Sequence, residues 1–241
     1  MNAVLGVYSS NSKEREQFRV LDCGCGRGVY GQKFSQERYV GLDIDVSSIG
    51  VAHLLYPDKS FIVGNATNLP FKDDTFNHVI CSEVLEHISN DRDVLTELAR
   101  VTKPLGVSVM SVPNLECENV FVNWQRNLID ESVGHVRRGY YIAEISNLID
   151  SSGFKVRESK FDCGPVTALI ECCLIRLGNI FGSNPSDLNQ LVVGKKPLLV
   201  QIALGIYELL FPILVSFTYL DRLLPRRCRS NMVIMAERYS N

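Results

Sequence analysis

Residues 20–28 read VLDCGCGRG, in which a short apolar run leads into three glycines at alternate positions. Gly24, Gly26 and Gly28 let the backbone turn sharply and let a ligand approach the amide N–H groups without a Cβ in the way. In an open α/β sheet such a loop lies at the carboxyl edge of the first strand, where ligands bind. The same residues also fit an ordinary strand-to-helix turn, so the surrounding sequence must decide between the two.

Downstream of this loop, short apolar runs alternate with helical patterns. The runs are rich in β-branched or aromatic residues and are bounded by Gly, Asp or Asn, which is typical of buried strands. This alternation indicates βαβ units and predicts an α/β fold with a doubly wound, seven-stranded, mostly parallel sheet. The predicted strands are residues 19–23, 39–43, 60–64, 76–81, 107–112, 155–162 and 231–238, and the predicted helices are residues 29–37, 46–55, 91–102 and 140–152.

Two features separate the loop from a dinucleotide-binding fingerprint. The fingerprint G-x-G-x-x-G would place a third glycine where this chain has Val29, and Asp22 precedes the loop, where a pyrophosphate would meet a negative charge. Asp43 ends the second predicted strand about twenty residues further on, where a carboxylate can accept both hydroxyls of a ribose. No basic residue stands beside Asp43, which favours an unphosphorylated ribose.

The ordered series of motifs resembles the class I S-adenosylmethionine-dependent methyltransferases of the D-x-G-x-G-x-G type, in their type 11 and ubiquinone-biosynthesis-like branch. Beyond the loop and Asp43, the matching stretches are Gly64-Asn65-Ala66, Leu69-Pro70-Phe71 with Asp74 and Phe76, residues 82–88 (SEVLEHI), His135, Tyr140 and Gly153-Phe154. The resemblance spans about residues 19–161 and implies a Rossmann-like fold with S-adenosylmethionine as cofactor. The cofactor-binding residues that it implies are Asp22, Gly24, Cys25, Gly26, Gly28, Asp43, Ile44, Asn65, Ala66 and Ser82.

One departure from the family pattern falls on the adenine-binding segment. Asn65 stands where the family usually has an acid that accepts a hydrogen bond from the adenine amino group. The amide oxygen of asparagine can still accept that bond but carries no charge. We therefore expect cofactor binding to be weaker, not absent.

Methyl transfer from a sulfonium is an in-line displacement with an already activated donor, so the protein mainly supplies positioning and a site that excludes water. If the acceptor is a hydroxyl, a general base with a pKa near neutrality helps, and His87 and His135 are the candidates. The alternative for His87 is a residue at a helix end that only packs or caps.

The predicted acceptor pocket contains Glu83, Trp124 and Tyr140. The alternative for the two aromatic rings is that they are buried in the core and only anchor it. Arg126, Arg137 and Arg138 could receive an acidic acceptor or could simply be solvated. Glu83, Glu86 and His87 form E-x-x-E-H, which resembles the corresponding stretch of ubiquinone-biosynthesis O-methyltransferases and could offer ligands to a divalent ion. A polar rim explains the same three residues, and no metal is predicted.

The composition excludes several classes of protein. The chain has 241 residues, a formal net charge of -2, 46% hydrophobic and 22% charged residues, which is typical of a globular protein. A near-neutral chain without a basic stripe argues against nucleic acid as a partner. The eight cysteines contain no pair of C-x-x-C knuckles, and the chain does not open on a signal-peptide pattern, so we expect reduced cysteines and a cytoplasmic location.

The apolar residues are concentrated towards the C-terminus. Residues 165–181 and 197–224 are two apolar stretches that flank a polar linker, between the sixth and seventh predicted strands. We therefore predict a catalytic domain of residues 1–164 plus 230–241, and a helical insertion of residues 165–229. The insertion could be a hairpin lying peripherally on the cytoplasmic membrane face, with basic ends towards lipid headgroups, or a cap buried against its own domain or in a homodimer.

These features predict a methyltransferase that acts on a small-molecule or lipid-linked acceptor. A cofactor-binding pseudoenzyme or scaffold is the alternative, because Asn65 is uncharged and no catalytic base stands out. A nicotinamide-dependent oxidoreductase is a third hypothesis, which tight NADH binding would favour.

Overall fold

The computed structural model describes residues 19–35, 38–118, 135–162, 164 and 225–240. In these ranges it has seven strands and three α-helices, joined by loops and short 3-10 turns. The strands are β1 (Val20–Cys23), β2 (Tyr39–Asp43), β3 (Ser60–Val63), β4 (Phe76–Ser82), β5 (Thr102–Pro113), β6 (Phe154–Asp162) and β7 (Asn231–Arg238). The helices are α1 (Val46–Leu55), α2 (Asp91–Val101) and α3 (Ile142–Ser151).

The strands form one sheet in the order β3-β2-β1-β4-β5-β7-β6. The pairs β1–β2, β2–β3, β1–β4 and β4–β5 are parallel, and β7 runs antiparallel to β5. This confirms the predicted doubly wound, mostly parallel, seven-stranded sheet. The strand order reverses between β1 and β4, and ligands bind outside the carboxyl ends of the strands at such a switch point.

Apolar burial on both faces of the sheet holds the helices in place. All four residues of β1 are buried. Parallel strands are covered by helices on both faces, so their residues are mostly apolar and do not alternate, and Asp22 is the exception in β1. The apolar stripe of α2 predicted from its spacing is fully buried, as are the inward residues of α3; these are Val94, Leu95, Leu98, Val101, Ile145 and Ile149. Helix α1 starts where Asp45 accepts backbone N–H groups of Ser47 and Ser48 at 3.1 and 3.0 Å.

Two predicted elements differ from the structure by more than two residues at one end. The predicted helix of residues 29–37 is a 3-10 helix over Val29–Lys33, with a bond from the Gly31 N–H to the Gly28 carbonyl at 2.9 Å. Glycine favours such a short, tight turn over a longer α-helix because it adds no helix propensity. The fifth strand begins at Thr102 and not at Val107, since a register shift against β4 accommodates the intervening Pro104 and Gly106.

The chain divides into two compact units. One comprises Met1–Glu116, Gly134–Lys160 and Asn231–Asn241, and the other comprises Cys117–Val133 and Phe161–Ser230. Most of the predicted insertion, residues 165–224, lies outside the described residues, so its helical character and its boundaries stay predictions. Among the residues that are described, no helix combines the length and apolar character needed to cross a membrane.

Candidate functional site

The glycine loop after β1 has the conformation that its sequence predicts. Gly24, Gly26 and Gly28 all have positive φ, at 76°, 51° and 77°. The N–H groups of Gly24 and Cys25 donate to the Leu42 carbonyl at 2.7 and 3.0 Å, which pins the loop against the end of β2. A Cβ on Gly24 would lie 2.2 Å from Val84 Cγ2, and one on Gly28 would lie 2.5 Å from Phe61 Cζ. Both positions therefore exclude a side chain by conformation and by space.

The Asp43 carboxylate faces the same loop from the end of β2. Its Oδ2 accepts the Gly26 N–H at 2.8 Å, and its Oδ1 accepts the Asp45 N–H at 2.9 Å. Because each carboxylate oxygen has two acceptor positions, one on each remains to receive a ribose hydroxyl. Ile44 follows with 70% of its surface exposed and offers apolar surface beside the carboxylate.

Asp22 and Cys25 are placed beneath the loop and not on its surface. Asp22 is 1% exposed, and the Tyr39 hydroxyl donates to its Oδ2 at 2.6 Å. Burial raises the pKa of Asp22 to about 7, against the opposing effect of the Tyr39 hydrogen bond. Cys25 is buried, and burial raises the pKa of its thiol well above the usual range. Both side chains are buried, so a ligand at this edge of the sheet would contact the backbone of the loop rather than these two side chains.

Asn65 and Ala66 lie just beyond β3, as the adenine-segment assignment requires. The Asn65 Oδ1 accepts both the N–H and the hydroxyl of Thr67, each at 3.0 Å. Two hydrogen bonds engage both lone pairs of an amide oxygen. The oxygen expected to accept from an adenine amino group is therefore committed to a local turn in this structure, while Ala66 is buried.

A row of polar side chains crosses the carboxyl ends of β4 and β5. Ser82 Oγ lies 3.0 Å from Ser111 Oγ and 3.4 Å from the Tyr30 hydroxyl. Ser111 in turn donates to Glu83, whose carboxylate also accepts from Asn231 Nδ2 at 3.2 Å. Asn231 reaches this edge because β7 runs antiparallel and pairs it with Pro113. Glu83 is exposed and has a φ of 54°, a strained conformation for a residue other than glycine.

Tyr30, Ser111 and Asn231 were not among the residues predicted for the site. Each lies on a different element, and the row exists only because the strand order brings those elements to one edge. The one available signal was their position at the ends of predicted strands or just after the glycine loop.

Glu86, His87 and His135 form a second cluster beside this row. One ligand atom from each lies within 4.8 Å of the others, and the two imidazole rings are 4.6 Å apart between centroids. Glu86 is completely buried, and neither carboxylate oxygen accepts a hydrogen bond from the described residues. Burial, with the neighbouring Glu83 carboxylate, raises the pKa of Glu86 to about 8. A carboxylate and two imidazoles are groups that a divalent cation accepts as ligands.

This cluster differs from the E-x-x-E-H set considered in the sequence. His135, distant in the chain, joins Glu86 and His87, while Glu83 precedes the 3-10 helix Leu85–His87 and bonds to Ser111 and Asn231. Both predicted bases, His87 and His135, are half-buried and adjacent.

The comparisons with known proteins agree with this geometry. A family model described as a methyltransferase domain matches residues 21–110. A protein named probable S-adenosylmethionine-dependent methyltransferase, from Mycolicibacterium smegmatis, is 29% identical over 58% of this chain and 53% of its own length. The demethylmenaquinone methyltransferase of Renibacterium salmoninarum is 36% identical over 39% of this chain and 40% of its own length. The matched segments thus span about half of these relatives.

Residues 21–110 thus match a methyltransferase domain, and one relative of this segment is named S-adenosylmethionine-dependent. The solved structure of the YcgJ protein of Bacillus subtilis, at 19% identity, superposes with a TM-score of 0.57 and covers 93% of each chain, which agrees with the fold. The cofactor of the methyltransferase domain is S-adenosylmethionine. The residues present fit it, because Gly26, with open space around its Cβ position, lies beside a carboxylate with acceptor positions to spare.

The remaining residues that the sequence predicts for the acceptor pocket are placed less favourably. Tyr140 has no exposed surface, and its hydroxyl donates to Asp91 at 3.0 Å. This agrees with the alternative that Tyr140 anchors the core and does not line the acceptor pocket. Arg137 stacks on the Tyr140 ring at 4.5 Å and pairs with Asp91 and Glu144 at 3.3 and 2.9 Å, so its charge is already balanced. Trp124 and Arg126 lie outside the described residues, and Arg138 is exposed.

Proposed function

We propose that the chain transfers a methyl group from S-adenosylmethionine to a small-molecule or lipid-like acceptor that carries no net negative charge. The observation that carries the proposal is the Asp43 carboxylate, fixed by the Gly26 N–H at 2.8 Å where the strand order reverses. A carboxylate beside a glycine loop suits an unphosphorylated ribose and repels a phosphate.

Cofactor binding needs few side chains. When bound, S-adenosylmethionine supplies a methyl group on a sulfonium that needs no further activation. Asp43 would accept hydrogen bonds from the ribose hydroxyls. The backbone of Gly24 to Gly28 would let the methionine portion of the cofactor approach the loop closely. Ile44 would cover the nucleoside with apolar surface, which helps to exclude water.

The acceptor is proposed to lie over the polar row and the histidine pair. A hydroxyl acceptor that bonds to Ser82 or Glu83 would stand near the carboxyl ends of β4 and β5. When S-adenosylmethionine is bound, it would supply the methyl group from a sulfonium that is left as a neutral thioether, and His87 or His135 would take up the proton of a hydroxyl acceptor. His87 and His135 remain the proposed bases because both lie at this edge and neither is fully buried.

The charges around the site favour an uncharged acceptor. The row carries the exposed carboxylate of Glu83, while Arg137 is balanced by two carboxylates. One relative is named a demethylmenaquinone methyltransferase, and a quinone is hydrophobic and uncharged, which supports a similar class of acceptor here. We also propose that residues 165–229 contact the cytoplasmic face of a membrane peripherally, with a homodimer interface as the competing role.

Calorimetry with S-adenosylhomocysteine tests the cofactor assignment, and transfer of a labelled methyl group to a membrane-lipid extract tests turnover. We expect binding and label in the extractable lipid fraction. Binding without transfer to any offered acceptor favours the scaffold alternative, and binding of NADH without S-adenosylhomocysteine favours the oxidoreductase. Substitution of His87 and His135 by alanine, separately, should lower the rate while cofactor affinity is kept.

A further inference from the structure

The segment after β3, residues 65–74, has little regular structure of its own. It contains an isolated bridge between Asn65 and Asn68 and a bond from the Phe71 N–H to the Leu69 carbonyl at 2.8 Å. Its first two residues, Asn65 and Ala66, are those assigned to the adenine. A loop that must present groups to a ligand needs something else to fix its backbone.

Helix α2 supplies that fixation through Glu97 and Arg100. Glu97 Oε2 accepts the Leu69 N–H at 2.7 Å. Arg100 donates from Nη2 to the Leu69 carbonyl at 3.0 Å and from Nη1 to the Phe71 carbonyl at 2.8 Å. Three backbone groups of the segment are therefore bound by two charged side chains of one helix.

The two side chains also hold each other. Arg100 Nε lies 2.7 Å from Glu97 Oε1, and Arg100 Nη2 lies 2.8 Å from Glu97 Oε2, which is a bidentate pair. Asp73, at the far end of the segment, accepts from Arg100 Nη1 at 2.7 Å. The backbone adds a bond from the Asp74 N–H to the Arg100 carbonyl at 3.0 Å. A guanidinium offers five N–H donors in a planar fork for these five acceptor atoms, whereas a lysine ammonium offers three from one nitrogen.

We propose that Glu97 and Arg100 are positioning residues for the adenine side of the cofactor. They order residues 65–74 before the cofactor arrives, so that less conformational freedom is lost on binding. The proposal rests on the proposed function, because it takes the backbone at Asn65 and Ala66 as the adenine contact, the Asn65 amide oxygen being bonded to Thr67. Neither side chain needs to touch the cofactor, and the predicted effect is on cofactor affinity.

The test compares Arg100→Lys, Glu97→Leu and Glu97→Gln by calorimetry with S-adenosylhomocysteine. Arg100→Lys and Glu97→Leu should raise its Kd about tenfold, the change expected from losing the ordering effect of one charged hydrogen bond. Glu97→Gln keeps an acceptor for the Leu69 N–H and should recover much of the affinity that Glu97→Leu loses. The matched control is Arg92→Lys, which alters an exposed arginine of the same helix whose Nη1 donates to Ser151 Oγ at 3.1 Å, outside the segment.

Hydrogen exchange of the ligand-free protein supplies a second readout. Arg100→Lys should speed exchange of the amides of residues 65–74 while those of β1 and β4 stay protected. If the wild-type protein binds S-adenosylhomocysteine and folded Arg100→Lys binds it equally well, the positioning role is wrong. The role is also wrong if Glu97→Gln and Glu97→Leu lose the same affinity, since a general loss of stability would produce that result. A wild-type protein that binds no S-adenosylhomocysteine instead overturns the proposed function.

Discussion

Asp43 has the strictest geometry of the side chains assigned to the cofactor. Both of its oxygens already accept a backbone N–H, from Gly26 and Asp45, so the carboxylate is held in one orientation before any ligand arrives. An asparagine at this position would turn an N–H2 group towards one of those N–H donors, and an alanine would leave both donors without an acceptor.

We therefore predict that Asp43→Ala and Asp43→Asn each raise the Kd for S-adenosylhomocysteine by about 100-fold, as expected from two lost charged hydrogen bonds. Calorimetry at constant pH measures this directly. Asp58→Asn is the matched control, because the Asp58 carboxylate is exposed and pairs with its neighbour Lys59 at 2.8 Å. Unchanged affinity in Asp43→Asn, with Asp58→Asn also unchanged, would remove the ribose assignment.

Asp22 makes stability depend on pH with a definite sign. Its pKa is raised from 3.8 to about 7 in the folded protein, so between these values the folded state binds more protons than the unfolded state. Asp22 therefore lowers the free energy of unfolding by on the order of 4 kcal/mol as pH rises from about 4 to about 7. Glu86, whose pKa is raised to about 8, acts in the same direction, so Asp22→Asn should reduce but not abolish the fall in stability between pH 5 and pH 8 in chemical denaturation of the ligand-free protein.

Tyr39→Phe provides the control for this prediction. The Tyr39 hydroxyl lowers the pKa of Asp22 by its hydrogen bond, so its removal should extend the loss of stability to higher pH. A wild-type protein whose unfolding free energy exceeds that of Asp22→Asn by the same amount at both pH values would contradict the assignment.

At the scale of elements, the sequence predicts the ends of a strand or helix best where only local signals, such as a capping residue, determine them. Strand β2 and helix α1 have the predicted bounds, Tyr39–Asp43 and Val46–Leu55, because an apolar run ends in an acid and Asp45 then caps the helix. Strand β5 starts earlier than predicted because Pro104 normally stops a strand, and only pairing with β4 provides the register shift that admits it.

The glycine loop gives a prediction at this scale. Gly28→Ala forces a side chain into φ 77° and towards the Phe61 ring, so it should destabilise the protein by more than 1 kcal/mol and weaken binding of S-adenosylhomocysteine. Gly50→Ala is the matched change, because Gly50 lies inside α1 with open space around its Cβ position. It should stabilise the protein by about 0.5–1 kcal/mol. Thermal or urea unfolding of both variants measures these changes. Equal losses of stability in the two variants would indicate a general intolerance of alanine and not a constraint of the loop.

At the scale of the whole molecule, the sequence predicts single residues of the site by local spacing, but it does not show which distant residues come together on the acceptor side. The glycine loop, Asp43 and Asn65 follow one another along consecutive βα units, so local spacing identifies them. Ser111, Asn231 and His135 come from distant parts of the chain, and they reach Glu83 and Glu86 only through the strand order and the antiparallel β7. No local pattern contains that information, and the burial of Glu86 depends on the folded surroundings.

The C-terminal third of the chain requires a test on the intact protein. Residues 165–181 and 197–224 are strongly apolar, Lys195 and Lys196 precede the second stretch, and Arg222, Arg226, Arg227 and Arg229 lie at its end. If they meet lipid headgroups, the full chain should bind liposomes containing anionic lipid, and Lys195→Glu with Lys196→Glu should weaken binding at least tenfold, because each basic residue contributes about 1 kcal/mol at such a surface. Flotation at two salt concentrations measures this.

Lys155→Glu with Lys160→Glu is the control, since it makes the same charge change at exposed residues of β6 and should leave binding to liposomes intact. Equal loss in both double variants would indicate general charge attraction, and a wild-type chain that stays off the liposomes while sedimenting as a dimer would assign the apolar stretches to a subunit interface.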